Sequence, residues 1–211
     1  MEFTQEEIRQ QYDKDASWYD LHVSIIERLT GMKKLRRELL QKATGHVLEI
    51  AVGTGRTFSE YPEDCAITAI DLSTKMLEVA QKHAVELQIQ PRLLPMDAHH
   101  LSFSNHSFNT VVMSLSLCTI SDPFAALREM ARVCQPDGKA LFLQHGRSSV
   151  PWIARFQDRH ADAWYRRHKG CLWNQDILRL VGEAGFEILS ARRAFFGIIH
   201  AIEAKPSSST P

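Results

Sequence analysis

Three carboxylates stand at or near the ends of short apolar runs: Glu49 in HVLEI (46–50), Asp71 after AITAI (66–70) and Asp97 after PRLLP (91–95). Between the first two lies AVGTG (51–55). Its glycines, Gly53 and Gly55, permit positive φ and let the backbone approach a ligand with no Cβ in the way. An acid about twenty residues beyond such a loop can accept hydrogen bonds from both hydroxyls of a ribose. An acid at the third strand end, such as Asp97, could hold an adenine amino group. Taken singly, each signal is weak: Gly-x-Gly loops occur in many folds, Asp71 could cap a helix, and Asp97 could be a loop carboxylate. Together, at three successive strand ends, they describe chemistry for holding a nucleotide-type cofactor.

These residues need a scaffold that brings strand ends together. TVVMSLS (110–116) and KALFLQH (139–145) continue the series of short aliphatic runs. All five lack clean polar alternation, as strands buried on both faces of a parallel sheet do. Helical segments separate them. Ser73 can cap a helix carrying Met76, Leu77, Ala80, Ala84 and Leu87 on one face. Asp122 and Pro123 open another, with Phe124, Leu127 and Ala131 sharing a face. QPDG (135–138) reads as the turn that ends it. NQDILRLVGEAGF (174–186) is a helix stopped by Gly185. The pattern predicts an α/β domain with a mostly parallel sheet. FEILSA (186–191) and FFGIIHAIEA (195–204) are separated by only Arg192–Ala194, which predicts an antiparallel hairpin. Ahead of the strands, Ile25, Ile26, Leu29, Met32, Leu35 and Leu39 recur at helical spacing. They predict N-terminal helices over 1–44, packed against or over the sheet, followed by the α/β domain (45–205) and a disordered tail (206–211).

Composition narrows the class. The 211 residues include 25 Lys+Arg and 25 Asp+Glu, with no basic excess for a dedicated nucleic-acid binder. The four cysteines are scattered and form no CxxC pair, which suits reduced thiols in a cytoplasmic setting and no disulfide or zinc framework. No stretch approaches the roughly 20 apolar residues that span a bilayer. The expectation is a soluble protein, with peripheral membrane contact left open.

VLEIAVGTG (47–55), AIDLSTKML (69–77), LPMDAHHLSFSNHSFNTVVMS (94–114) and LREMARVCQPDGKALFLQH (127–145) resemble the successive motifs of class I S-adenosylmethionine (SAM)-dependent methyltransferases. YDKDASWYD (12–20) is similar to a signature of the ubiquinone/menaquinone-type branch. The resemblance implies a Rossmann-like seven-stranded sheet with an antiparallel last strand and a helical lid. It implies SAM as cofactor and S-adenosylhomocysteine as product. By position, Glu49 would orient the loop and hold the methionyl amine, and Ala51, Gly53 and Gly55 would line the methionine moiety. Asp71 would bind the ribose, Leu72 and Met76 would pack on the adenine, and Asp97 and Ala98 would contact its edge. Ser114 would close the pocket and Tyr19 would cover the cofactor. The chain departs from the family at Ala51, usually Gly, and at Glu49, usually Asp.

The acceptor is harder to read, because methyl transfer from a sulfonium needs alignment in a dry pocket rather than a fixed set of catalytic groups. SLSLCTI, LQHGRSS and DAWYRRHKGCLW are similar to segments of alkyl-thiol methyltransferases and of bacterial phosphatidylethanolamine N-methyltransferases. Those families tend to carry Glu-His where this chain has Gln144-His145. The expectation is a small hydrophobic or amphiphilic acceptor: a thiol, a quinol or an aminophospholipid. His145 is the candidate general base or acceptor-orienting group, with Tyr12, Cys118, Trp152 and Phe156 as candidate acceptor lining. In VPWIARFQDRHADAWYRRHKGCLW (150–173) the aromatics lie among Arg155, Arg159, Arg166, Arg167 and Lys169, either as a core-packing helix with a solvated face or as a cover near an anionic surface. His99, His100, His160 and His168 lack a third ligand at sensible spacing, so no metal is assigned. A non-catalytic SAM-binding regulator and a nicotinamide-dependent oxidoreductase are the competing readings.

Overall fold

The computed structural model describes residues 3–16, 27 and 30–207; Tyr19, Ile25, Ile26 and Leu29 of the expected N-terminal helices lie outside them. Helix α1 (Gln5–Asp15) begins with a capping box in which Thr4 and Glu7 satisfy each other's backbone N–H groups. Helix α2 (Met32–Leu40) follows, burying Met32, Leu35 and Leu39.

Seven strands form one sheet: β1 (His46–Ile50), β2 (Ala66–Asp71), β3 (Arg92–Pro95), β4 (Phe108–Ser114), β5 (Cys134–His145), β6 (Phe186–Ala194) and β7 (Ile199–Pro206). Their spatial order is β3-β2-β1-β4-β5-β7-β6. The first five are mutually parallel, and β7 runs antiparallel to both β5 and β6. Helix α3 (Thr74–Glu86) follows β2, and α4 (Pro123–Val133) lies between β4 and β5. Helices α5 (Pro151–Arg167) and α6 (Ile177–Glu183) precede the β6–β7 hairpin.

The apolar runs are explained by helices on both faces. Leu48, Ile50, Val111 and Met113 face one core with Leu127 and Met130 of α4 and Ile177 and Val181 of α6. Val47 and Val112 face the other, with Leu35 and Leu39 of α2 and Leu77 and Ala80 of α3. Alternate residues therefore enter opposite cores, and each fully buried aliphatic side chain contributes about 1.5–3 kcal/mol. Polar alternation has no place on such a strand.

Helix starts follow the expected caps. Ser73 accepts from Met76 N at 3.0 Å, and Asp122 from Ala125 N at 3.0 Å with Pro123 at the first helical position. Three expectations need correcting. QPDG is not a free turn: α4 ends at Val133, Cys134 already pairs with Phe108, and Lys139 pairs with Thr110, so the segment bulges within β5. The hairpin turn falls later, where Phe195, Phe196 and Gly197 all have positive φ, because β6 continues to Ala194. Leu87, beyond the end of α3, is 42% exposed.

Candidate functional site

The loop after β1 and the carboxyl ends of β2, β3 and β4 surround a cleft of about 1060 Å³, part of it open to solvent, and α1 covers one side. Ligands bind at this edge of open parallel sheets. Ala51, Val52, Gly53 and Thr54 form the floor. Gly53 has φ 59° and a Cβ built on it would meet nothing within 4 Å, so this backbone faces open cleft. Ala51 also lies in the left-handed region, at φ 54°. That conformation favours glycine at this position, so the chain's alanine carries local strain. Gly55 does not line the cleft: its φ of 77° and the Phe58 ring, 2.5 Å from a built Cβ, make it a turn glycine.

Glu49 is buried beneath the loop, and Oε2 accepts from Thr57 Oγ1 at 2.7 Å and Tyr61 OH at 2.9 Å. Burial pushes its carboxyl up to about 7, against the opposing pull of those two donors. A cation arriving beside it would favour the ionised form.

Asp71 closes β2. Its Oδ2 accepts from Gly53 N at 2.8 Å and its Oδ1 from Ser73 N at 2.8 Å, tying the glycine loop to the start of α3. Burial raises its pKa above the ordinary carboxylate value. The Ser73 hydroxyl donates to Asp13 of α1, which also pairs with Arg9 at 2.5 Å. Two carboxylates, Asp71 and Asp13, thus meet around one capping serine. Leu72 and Met76 complete this wall.

Asp97, after β3, accepts from His99 N at 2.9 Å and lies 2.6 Å from His99 Nδ1. Because His99 Nε2 accepts from Asp122 N at 3.3 Å, the proton resides on Nδ1 and the ring braces Asp97. Ala98 lines the cleft beside it, as do Ser114, Leu115, Ser116 and Thr119 after β4. From α1, Gln5, Ile8, Arg9 and Tyr12 form the roof. Phe3 N donates to Tyr165 OH at 2.9 Å, and Lys169 Nζ stands 4.8 Å from the Tyr12 ring centre, so the C-terminal end of α5 supports this roof.

Known proteins share the sequence pattern and the fold. Residues 48–142 match the Methyltransferase domain family model. A demethylmenaquinone methyltransferase of Chlamydia pneumoniae is 28% identical, covering 88% of this chain and 90% of its own length. A phosphatidylethanolamine N-methyltransferase of Cereibacter sphaeroides is 37% identical over 48% of this chain and 51% of its own. A mitochondrial methyltransferase of Saccharomyces cerevisiae is 27% identical over 92% of this chain and 45% of its own. The chain spans about half the length of these last two relatives. In fold, it resembles a SAM-dependent methyltransferase of Thermotoga maritima with a TM-score of 0.61, at 20% identity, over 89% of this chain and 97% of that one. Residues 48–142 carry a methyltransferase domain, in the fold of class I SAM-dependent methyltransferases.

The residues lining the cleft fit SAM. The open space above Gly53 is a cradle that a Cβ would narrow. Asp71 retains lone pairs for hydroxyl donors, and Glu49 supplies buried acid for a cationic group. Two polar atoms on the cleft wall, Arg36 Nε and Ser116 Oγ, are buried without a hydrogen-bond partner among the described residues.

Of the expected cofactor residues, Glu49, Ala51, Gly53, Asp71, Leu72, Met76, Asp97, Ala98 and Ser114 line this one cleft, while Gly55 supports it from behind and Tyr19 falls outside the described residues. Of the expected acceptor residues, only Tyr12 lines it. Trp152 and Phe156 sit on the exposed face of α5, 66% and 53% exposed, because Ala154 and Gln157 take its buried face. Gln157 clamps α5 by accepting from Ser148 N and donating to the carbonyls of Gly146 and Trp173. Cys118 and His145 lie behind the cleft, with Cys118 Sγ 3.1 Å from His145 Nε2. Cys171 joins them at 3.5 Å. The Cys118 thiol donating to it, with His145 beside it, pulls the Cys171 thiol down, while the same contact and burial push Cys118 up. Gln144 donates to Met113 O at 2.9 Å and accepts from Leu117 N at 3.2 Å, a double role that a carboxylate could not fill.

Sequence reasoning also missed an ionic cluster on the cleft wall. Arg36 pairs with Glu27 and lies 3.7 Å from Glu60, and Arg56 reaches Glu27 at 2.7 Å. Its one signal was an arginine four residues beyond Met32 on the apolar face of α2.

Proposed function

We propose that this methyltransferase transfers the methyl group of SAM to a small amphiphilic acceptor of the quinol, alkyl-thiol or aminophospholipid kind, at a lipid surface. The observation that carries the reading is the mixed lining opposite the glycine loop. Apolar Ile8, Leu115 and Ile120 share the cleft with Tyr12, Ser116 and Thr119, which suits a molecule with an apolar body and one polar reacting group. The bound cofactor supplies an electrophilic methyl on a sulfonium. The chain's own groups position and desolvate. Glu49 accepts from the methionyl amine, Asp71 from the ribose hydroxyls, and the Asp97 region meets the adenine edge. The α1 roof excludes water from the reacting end. A base is needed only for an acceptor that carries its proton at the working pH.

The lipid surface is supported by four exposed aromatics. Trp152 and Phe156 of α5 stand clear of the core, as do Phe195 and Phe196 in the β6–β7 turn. The Ser148 hydroxyl donates to Phe196 O at 2.6 Å, so the turn abuts the segment entering α5, where Arg155 and Arg159 are exposed. Aromatics flanked by arginine suit an interfacial position over anionic lipid. No helix among the described residues is long and apolar enough to cross a membrane.

The test has two arms. Incubation with SAM and a panel of quinols, alkyl thiols, phenols and aminophospholipids should release S-adenosylhomocysteine with at least one class. Tight SAM binding with turnover on none would favour the regulatory reading. SAM or its product should raise thermal stability where NAD does not. Cosedimentation should be stronger with phosphatidylglycerol vesicles than with phosphatidylcholine ones, and Trp152→Ser with Phe156→Ser should weaken it. Equal failure on both vesicles overturns the lipid-surface part alone.

A further inference from the structure

Methyl transfer leaves unused a cluster assembled from three separate elements. Cys118 lies in the short 3₁₀ turn after β4, His145 ends β5, and Cys171 follows α5. Their ligand atoms all lie within 4.8 Å of one another. We propose that Cys118, His145 and Cys171 form a binding site for one divalent zinc-type ion, with a fourth position left for water or an exogenous ligand.

Hydrogen bonding accounts for only part of the arrangement, even with the Cys118 thiol donating to Cys171. Both sulfurs converge on the same ring nitrogen, His145 Nε2, at 3.1 Å and 3.5 Å. That nitrogen offers either one lone pair or one proton in the ring plane, which serves one sulfur well and not two. A metal ion placed among the three takes a lone pair from each. Tetrahedral zinc with bonds of about 2.3 Å to sulfur and about 2.0–2.1 Å to nitrogen sets S···N near ~3.6 Å. The two S···N separations therefore need to lengthen by about half an ångström at most. The donor set is also apt: two thiols and an imidazole favour zinc over magnesium or calcium, which take oxygen ligands. Cys118 is buried whereas His145 and Cys171 are half-buried, so one side of the site can admit a further ligand. The surroundings are built as well. Leu172 N donates to Cys118 O at 2.8 Å, fixing the two cysteine-bearing segments together. The buried Trp164 indole N–H, beside Cys171, has no oxygen or nitrogen partner among the described residues and is placed to donate to a metal-bound sulfur.

The ion would pin the segment after α5 to the sheet, so its effects extend to stability. The test titrates the reduced, chelator-treated full chain with Zn²⁺ and, as a spectroscopic probe, Co²⁺. The expected result is one ion per chain, a thiolate-to-cobalt charge-transfer band with tetrahedral visible absorption, and a rise in thermal stability with Zn²⁺. Cys118→Ser, Cys171→Ser and His145→Gln should each weaken binding by more than the about 10–100-fold typical of outer-shell partners. The double variant Cys65→Ser/Cys134→Ser should bind as the parent does. A retained thermal shift with S-adenosylhomocysteine shows that each variant is folded. Absence of the charge-transfer band in the parent overturns the proposal. So does undiminished binding in both single cysteine variants, or loss of binding in the Cys65/Cys134 double variant.

Discussion

The two sides of the cleft are built on different plans. The proposed donor side is a run of strand ends: Asp71 accepts from Gly53 N and Ser73 N, Asp97 from His99 N, and Glu49 from the Thr57 and Tyr61 hydroxyls. The proposed acceptor side is assembled from α1, the segment after β4 and the far end of α5, joined by contacts between residues more than a hundred positions apart. A site made of strand ends inherits its geometry from the sheet. A site made of a roof and loops must be held by side chains, and it is free to change acceptor without disturbing the sheet.

Breaking the donor side should have the largest effect. Asp71→Ala removes the acceptor for Gly53 N and Ser73 N as well as the proposed ribose contact. SAM affinity should fall by about 100-fold or more, given about 1.5–3 kcal/mol per hydrogen bond to a charged group. Calorimetry that returns the parental Kd would end the assigned role. Glu49→Gln should weaken SAM by about tenfold, and it sharpens the comparison through pH. The folded carboxyl titrates near 7, above its ordinary 4.5, so the folded apo chain holds the proton across that window. Apo stability should therefore fall as pH rises from about 4.5 to about 7. SAM affinity should rise over the same range, with proton release on binding, because the cationic amine prefers the ionised acid. Glu49→Gln should flatten both trends, and identical pH profiles in parent and variant would refute the linkage.

Gln144→Glu probes the side-chain link from β5 to the end of β4. It replaces the donor to Met113 O with a buried carboxylate and should cost about 1–3 kcal/mol in denaturant unfolding. The smallest effect runs the other way. Ala51→Gly relieves a left-handed alanine and should stabilise the fold by about 1 kcal/mol, raising Tm by a few degrees. A lower Tm would show that the loop draws more from the alanine methyl than it loses in strain.

The same division explains what could be read from the chain. Strand runs were legible because helices cover both faces, and the residues that gather at the cleft because each sits at a fixed offset from its strand. Ser73 and Asp122 announced their helices by type and place. QPDG misled because turn chemistry also suits a bulge, and only pairing with β4 distinguishes them. Trp152 and Phe156 misled because aromatic spacing on a helix does not say which face is inward; the polar Gln157, bonded on three sides, holds that face instead. Cys118, His145 and Cys171 are separated by at least 26 positions, so no spacing could have joined them.

The serine that starts α3 has a further consequence. Its N–H binds Asp71 while its hydroxyl binds Asp13, so the roof is latched to the residue beside the ribose acid. The nearby charge of Asp13 works against ionised Asp71. Hydroxyl donors arriving at Asp71 would ease that repulsion and tighten the latch, and by thermodynamic reciprocity a latched roof would hold those donors more firmly. On the proposed reading, cofactor occupancy would thereby reach the element that covers the acceptor end, and the two substrates would bind in order.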